Sequence, residues 1–228
     1  MNLKIIGTSH IAQQSIEEIK QAVEEFQPDI IAVELDLQRT AALMQQQKNR
    51  ASLNDIFRIG VKGYAFVKIG HYIQQKLGKI VGVVPGSEMK AALELAHIKN
   101  LKVALIDQPI DITLKKFSKN LTWKEKFRFV GDILGGFLMP KKQIKKLGLT
   151  KLDLTKVPDQ KTIDSLIKQL EERYPNVYKT LITDRNKYMV KELVKLLREN
   201  KEKKILVVVG AGHKEGMENL LKNVEIIH

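Results

Sequence analysis

Short apolar runs alternate with amphipathic segments along most of this chain. The run LKIIG at 3–7 predicts a strand, and SIEEIKQAVEEF at 15–26 predicts a helix, because its apolar residues recur at spacings of three and four. Gln27-Pro28-Asp29 ends this helix, and IIAVEL at 30–35 predicts a second strand. Strand, helix and strand within 35 residues form a βαβ unit, which implies parallel pairing of the two strands.

The same alternation continues to the end of the chain. The sequence predicts buried strands at 101–109 and 203–210, a helix at 184–200, a short helix at 215–223 and an edge strand at 224–228, whereas 79–88 fits either a strand or a loop. We therefore expect the whole chain, 1–228, to form one α/β domain with a mainly parallel central sheet flanked by helices. Residues 111–183 are mostly helical in pattern, and we expect them to form a basic helical insertion or cap.

Three helix starts carry recognisable signals. Ser15, with Glu18 three residues later, predicts a capping box. Ser87 follows Pro85-Gly86 and predicts an N-cap, which places Glu88 in the first turn. Asp184 is predicted to begin the helix that also contains Arg185.

Composition narrows the class of protein. The chain has 228 residues, 43% of them hydrophobic and 29% charged, which is typical of a soluble globular protein. It shows neither an apolar run of about 18 residues nor the pattern of a signal peptide, so we expect a cytoplasmic protein. It has no cysteine, so a metal would have to be held by His, Asp or Glu.

Positive charge is concentrated in one stretch. The net charge of the chain is +13, and residues 115–156 carry +9 of it. Such a segment attracts anionic lipid, an acidic partner or nucleic acid, although a solvated lysine-rich face explains it equally. Because lysine dominates and aromatic residues are sparse, the pattern does not favour a nucleic-acid partner.

The pattern Gly-x-x-His follows a predicted strand twice. Gly7 precedes His10 near the start of the chain, and Gly210 precedes His213 near its end. A glycine allows a sharp turn after a strand, so that the histidine can lie over the edge of the sheet. A dinucleotide-binding loop does not fit, because Glu215 stands where its third glycine would be. The two histidines are therefore either metal-binding or catalytic residues, or packed structural residues.

Four further charged residues are candidates for the same site. Glu34 ends an apolar strand, where a buried carboxylate needs either a cation or a salt bridge to Arg39 or Arg185. Glu88 either belongs to the site or favours the start of its helix. Asp184 is either a site residue or an N-cap, and a helix start beside Arg185 would suit an anion or an oxyanion.

An ordered set of motifs links these residues. GTSHIAQQSIEEI, PDIIAVELDLQR, GSEMKAALELA, TDRN and VVVGAGHKEG, in that order, resemble the TraB family. That family includes bacterial pheromone-shutdown proteins, archaeal homologues and the Tiki-type metalloproteases. The likeness spans nearly the whole chain apart from about 111–175.

The resemblance implies a metal-dependent site of the peptidase type, marked by the two Gly-x-x-His motifs. By this resemblance, the site residues in this chain are His10, His213, Glu34 with Arg39, Glu88, and Asp184 with Arg185. Several relatives continue into membrane-spanning segments.

These observations lead to two hypotheses of function. In the first, His10, His213 and at least one of Glu34 and Glu88 hold Mn²⁺, Co²⁺ or Zn²⁺, and the protein hydrolyses a peptide or protein substrate. The metal activates a water molecule, a glutamate takes its proton, and Arg185 stabilises the oxyanion. In the second, the same pocket binds and sequesters a peptide without cutting it.

The segment 121–142 has an amphipathic pattern of its own. Its apolar residues recur at spacings of three and four beside basic residues; they are Trp123, Phe127, Val130, Ile133, Leu134, Phe137 and Leu138. One hypothesis is a cap helix packed on the core. The other is a surface that meets an anionic membrane or the partner in a homodimer. Gly135-Gly136 could act as the hinge of a lid.

Overall fold

A computed structural model describes residues 2–8, 13–44, 86–125, 127–128, 131–132 and 160–224 of the chain. The strands are β1 (Leu3–Thr8), β2 (Ile30–Val33), β3 (Lys102–Leu105) and β4 (Ile205–Gly210). The helices are α1 (Gln13–Phe26), α2 (Leu37–Met44), α3 (Ser87–Ile98), α4 (Ile110–Asn120), α5 (Gln160–Arg173), α6 (Pro175–Tyr178), α7 (Asp184–Glu199) and α8 (Ala211–Lys222). A π-helical segment, Lys179–Thr183, joins α6 to α7.

The four strands form one parallel sheet in the order β1-β4-β2-β3. In register, Thr8 at the end of β1 pairs with Gly210 at the end of β4, and Val33 at the end of β2 pairs with Val208. The carboxyl ends of all four strands therefore lie along the same edge. The predicted α/β class with a parallel sheet is confirmed.

Helices cover both faces of the sheet. Alternate residues of β4 point to opposite faces: Leu206 and Val208 pack with residues of α1 and α3, while Val207 and Val209 pack with residues of α7 and α8. All six residues of β4 are buried, which explains its uninterrupted apolar sequence. Full burial of one such side chain stabilises the fold by about 1.5–3 kcal/mol.

Two predicted helix starts are wrong in detail. Helix α1 begins at Gln13, so the buried Ser15 lies inside its first turn rather than at its N-cap. Helix α3 takes Gly86 as its N-cap, with φ of 84°, and Ser87 is its first helical residue. The left-handed backbone at this turn suits glycine. A Cβ at Gly86 would also lie only 3.0 Å from Leu43 Cδ2.

Helix α7 begins at Asp184 as predicted, but this start is not a free helix end. Asp184 follows α6 and the π-helical segment without a break, and its backbone N–H donates to the carbonyl of Lys179. Asp184 is therefore not an N-cap. No free helix N-terminus lies beside Arg185, and the predicted anion site built on such a terminus is wrong.

Several predictions lie outside the described residues. They are the position of His10, the ambiguous run 79–85, the C-terminal part of the edge strand predicted at 224–228, the Gly135-Gly136 hinge and the apolar stripe beyond residue 132. The described parts of 111–183 are helical, while a single domain with a cap stays a prediction. Within the described ranges, no helix is both long enough and apolar enough to span a membrane.

Candidate functional site

Three strand ends deliver charged or ionisable side chains to one edge of the sheet. Glu34 directly follows β2, Asp107 follows β3 by two residues, and His213 lies in the first turn of α8 after β4. All three side chains are buried. The parallel sheet explains this convergence, because it places the carboxyl ends of its strands side by side.

Arg185, in the first turn of α7, connects these three residues. Its Nη2 donates to Glu34 Oε1 and, at 2.7 Å, to Asp107 Oδ2; its Nε donates to Asp107 Oδ1 at 3.0 Å. Its Nη1 lies 3.0 Å from His213 Nε2. Burial by itself lowers the pKa of Arg185, but the charges and hydrogen bonds of Glu34 and Asp107 outweigh burial and raise that pKa. The guanidinium is therefore a permanent positive charge at the centre of the site.

Glu34 is held from two sides. Its Oε1 accepts from Arg185, and its Oε2 accepts the backbone N–H of Gly210 at 2.6 Å. Gly210 is the N-cap residue of α8, so the carboxylate lies at the positive end of a helix. The salt bridge to Arg185, one of the two partners predicted for Glu34, is thus present in the structure.

Asn186 orients the imidazole of His213. Asn186 Oδ1 lies 2.6 Å from His213 Nδ1. Because an amide oxygen can only accept, this contact places the proton of the neutral imidazole on Nδ1. The Nε2 lone pair then faces Arg185 and Glu34, at 3.0 Å and 3.3 Å. A proton or a metal ion at Nε2 would have to take this lone pair from Arg185.

Arg39 reaches the site through Asp107. Its Nη1 donates to Asp107 Oδ2 at 2.5 Å, and about a third of the Arg39 side chain remains exposed. Asp36 fixes this corner, because its carboxylate accepts the backbone N–H groups of Arg39 and Ile110, both at 2.9 Å. One aspartate thereby caps the starts of both α2 and α4.

Three predicted site residues remain: Glu88, Asp184 and His10. Glu88 is buried in the first turn of α3 and, among the described residues, forms no metal-ligand group with Glu34 and His213. Asp184 faces Lys116, whose Nζ lies 3.8 Å from its Oδ2. Thr8 at the end of β1 is buried beside Val209, and His10 two residues later lies outside the described residues.

Two residues of the cluster were not identified from the sequence. Asp107 lies within the strand predicted at 101–109 and was given no role, although, like Glu34, it is a carboxylate directly after an apolar run. Asn186 belongs to the TDRN motif, but an amide on a helix gives no sign that it is buried against a histidine.

The distance between Glu34 and His213 suits two ligands of one divalent metal ion. Glu34 Oε1 and His213 Nε2 are 3.3 Å apart, and two ligands at about 2.1 Å from a tetrahedral metal lie roughly 3.4 Å apart. The Nδ1 contact to Asn186 matches the second hydrogen bond that metal-bound histidines usually make. These two donors therefore fit Mn²⁺, Co²⁺ or Zn²⁺. In the described part of the chain, no third His, Asp or Glu completes the group.

A comparison with protein families decides the ancestry of the chain. The profile of the TraB/PrgY/gumN family matches residues 2–226. The chain belongs to the TraB/PrgY/gumN family. The resemblance recognised from the five sequence motifs is confirmed, and the strand-edge cluster of Glu34, Asp107, Arg185 and His213 is the cluster of a TraB-family protein.

Individual relatives agree with this assignment. An uncharacterized protein of Methanocaldococcus jannaschii is 34% identical over 226 residues, which cover 98% of this chain and 54% of the relative. The human and bovine TraB domain-containing proteins are each 22% identical over 242 residues, covering 94% of this chain and 61% of each relative. This TraB-family chain thus spans between half and two thirds of the length of these relatives.

Proposed function

We propose that this TraB-family protein is a metal-dependent hydrolase of the peptidase type, acting on a peptide or protein substrate. One observation carries the proposal: the Nε2 of His213, oriented by Asn186, lies 3.3 Å from Glu34 Oε1. A buried imidazole and a buried carboxylate at this separation suit two ligands of one divalent ion. His10 is the proposed further ligand, because the strand that precedes it is paired with β4 in parallel register.

Three residues of the chain have proposed roles in hydrolysis beside the metal ligands. When bound, the metal supplies a Lewis acid that lowers the pKa of a water molecule. Asn186 holds the proton of His213 at Nδ1, so that Nε2 carries the lone pair with which His213 would hold the metal. Glu88, buried in the first turn of α3, is the proposed acceptor of the proton from water. Arg185 is the proposed donor to the oxyanion, since its charge is permanent.

Cleavage of a mixed peptide library tests this proposal. The protein is incubated with the library and Mn²⁺, Co²⁺ or Zn²⁺, and the products are identified by mass spectrometry. We expect fragments from the native protein and none from Glu88→Gln or His213→Ala. His97→Ala is the matched control, because His97 is exposed at the end of α3, and it should cleave like the native protein.

The alternative outcome identifies a binding module. If intact peptides are retained on the protein and no fragments form with any of the three metals, the pocket sequesters a peptide without hydrolysing it. That result would overturn the catalytic proposal and leave the family assignment unchanged.

A further inference from the structure

Arg185 contacts the same two atoms that the proposed metal would need. Its Nη2 donates to Glu34 Oε1, and its Nη1 lies 3.0 Å from His213 Nε2. With the proton of His213 on Nδ1, the Nε2 atom can only accept, and a guanidinium can only donate. One positive charge of the protein thus already contacts both proposed ligand atoms.

The same guanidinium has a second, independent anchor. Asp107 accepts from Nε at 3.0 Å and from Nη2 at 2.7 Å, which is the bidentate pairing that arginine favours with a carboxylate. The carbonyl of Leu181, in the π-helical segment, accepts from Nη1 at 3.3 Å. Arg185 can therefore leave Glu34 and His213 without losing a charged partner.

We propose that Arg185 is an internal cation, which a divalent metal displaces from Glu34 and His213, and that Asp107 is the positioning residue that retains the displaced guanidinium. The inference rests on the proposed function, because it presumes that a metal binds at these two residues. The single lone pair of His213 Nε2 cannot serve a metal ion and a guanidinium at once, and two cations on Glu34 Oε1 would repel each other, so binding of the metal requires this exchange. The exchange releases N–H donors beside the metal, where an oxygen of the substrate would receive them.

Removal of Arg185 should strengthen metal binding. Isothermal titration with Mn²⁺ or Zn²⁺ compares the native protein with Arg185→Gln, which has no cation to displace. We expect the variant to bind metal on the order of tenfold more tightly, since hydrogen bonds to charged groups typically carry energies of that size. Lys187→Gln is the matched control: it removes a positive charge that is exposed on the same helix, two residues from Arg185. We expect it to change the affinity by at most about threefold.

A double-mutant cycle tests the role of Asp107. In Asp107→Asn the guanidinium loses its alternative partner and should hold Glu34 more firmly, so metal binding should weaken. In the Arg185→Gln background, Asp107→Asn should weaken metal binding less. Only the loss of one negative charge near the metal then remains to lower the affinity. The coupling between the two substitutions separates retention of Arg185 from simple attraction between charges.

The outcomes distinguish this inference from the proposed function. Equal metal affinity in the native protein and in Arg185→Gln would overturn the inference and leave the metal site standing. Absence of binding in every variant would overturn both. If Arg185→Gln does not fold, the native protein supplies the test by NMR with Zn²⁺. The Nε–H signal of Arg185 should stay protected by Asp107 while the Nε2 signal of His213 shifts; loss of that protection would contradict retention by Asp107.

Discussion

Gly216 packs directly against the side chain of Asn186. A Cβ at this position would lie 2.2 Å from Nδ2 of Asn186, so Gly216→Ala must displace the amide that orients His213. We expect Gly216→Ala to lower the free energy of unfolding by about 1–3 kcal/mol. We expect metal affinity to fall on the order of tenfold, the usual effect of losing the residue that orients a ligand.

Gly212→Ala is the control for this prediction. Its added Cβ would meet Cδ1 of Ile167 at 3.1 Å, which is the far end of a flexible side chain. Thermal unfolding and metal titration of both variants should therefore separate them. Similar losses in the two variants would show that Asn186 does not orient His213.

Single residues were predictable from the sequence where their chemistry conflicted with their surroundings. Glu34 stood out because a carboxylate in the run IIAVEL needs a cation, and Arg185 was one of two partners predicted for it. Asn186 was not predictable, because its importance arises from one contact with a histidine 27 residues away. Such contacts depend on how helices pack, which local sequence does not encode.

Glu125 joins the starts of two helical segments. It forms a capping box with Thr122, whose N–H and hydroxyl donate to Glu125 Oε2 at 3.1 Å and 2.9 Å. The backbone N–H of Asn176, near the start of α6, donates to Glu125 Oε1 at 2.8 Å. Burial alone raises the pKa of Glu125, but the hydrogen bonds from Asn176 and Thr122 outweigh burial and lower it.

This lowered pKa predicts a pH-dependent stability. The ionised carboxylate stabilises the fold at any pH above its ordinary pKa of 4.5, and the contribution disappears as the pH falls through the lower pKa of the folded state. In urea unfolding, Glu125→Gln should be less stable than the native protein at pH 7, and the two should converge once the pH falls below the lowered pKa of the folded state. Glu94→Gln, on the exposed face of α3, should show little difference at either pH. If the native protein remains more stable than Glu125→Gln in acid, ionisation of Glu125 does not explain the difference.

Trp123 and Phe127 form an exposed aromatic pair. They are 70% and 71% exposed, and their ring centroids lie 6.0 Å apart. For these two residues the hypothesis of a helix packed on the core does not hold. Lys124 is exposed beside them, and a basic residue next to exposed aromatic rings suits an anionic membrane surface. Attachment to such a membrane stays a prediction.

Liposome flotation tests this prediction. The native protein should float with vesicles that contain anionic lipid, and salt should weaken the effect. Trp123→Ala with Phe127→Ala should abolish flotation, while Ile98→Ala, which alters an exposed apolar side chain elsewhere, should not. Flotation of the double variant at the native level would eliminate the aromatic pair as a membrane contact.

Elements were predicted well where periodicity was strong and poorly where the backbone departs from ideal geometry. The apolar spacing identified α1, α3 and α7, each within a few residues. The π-helical segment before Asp184 had no counterpart in the sequence pattern, because its i→i+5 hydrogen bonding leaves no periodic mark in five residues.

At the scale of the whole molecule, the sequence predicted a parallel sheet but not the position of each strand. The βαβ opening predicted that β1 and β2 pair in parallel; they run in the same direction, but they do not pair. It did not indicate that β4 (Ile205–Gly210), which comes near the end of the described chain, inserts between them. This insertion brings His213 next to Glu34, since Gly210 at the end of β4 donates to the Glu34 carboxylate. Strand order depends on tertiary packing, and local patterns do not determine it.

The metal content of the purified protein tests the central claim most directly. The protein is prepared without chelators, incubated with Mn²⁺, Co²⁺ or Zn²⁺, freed of unbound metal and measured by elemental analysis beside the double variant His10→Ala with His213→Ala. A metal site at the strand edge predicts stoichiometric metal in the native protein and in the control His97→Ala, and its loss in the double variant. Equal metal content in the native protein and the double variant would contradict the account.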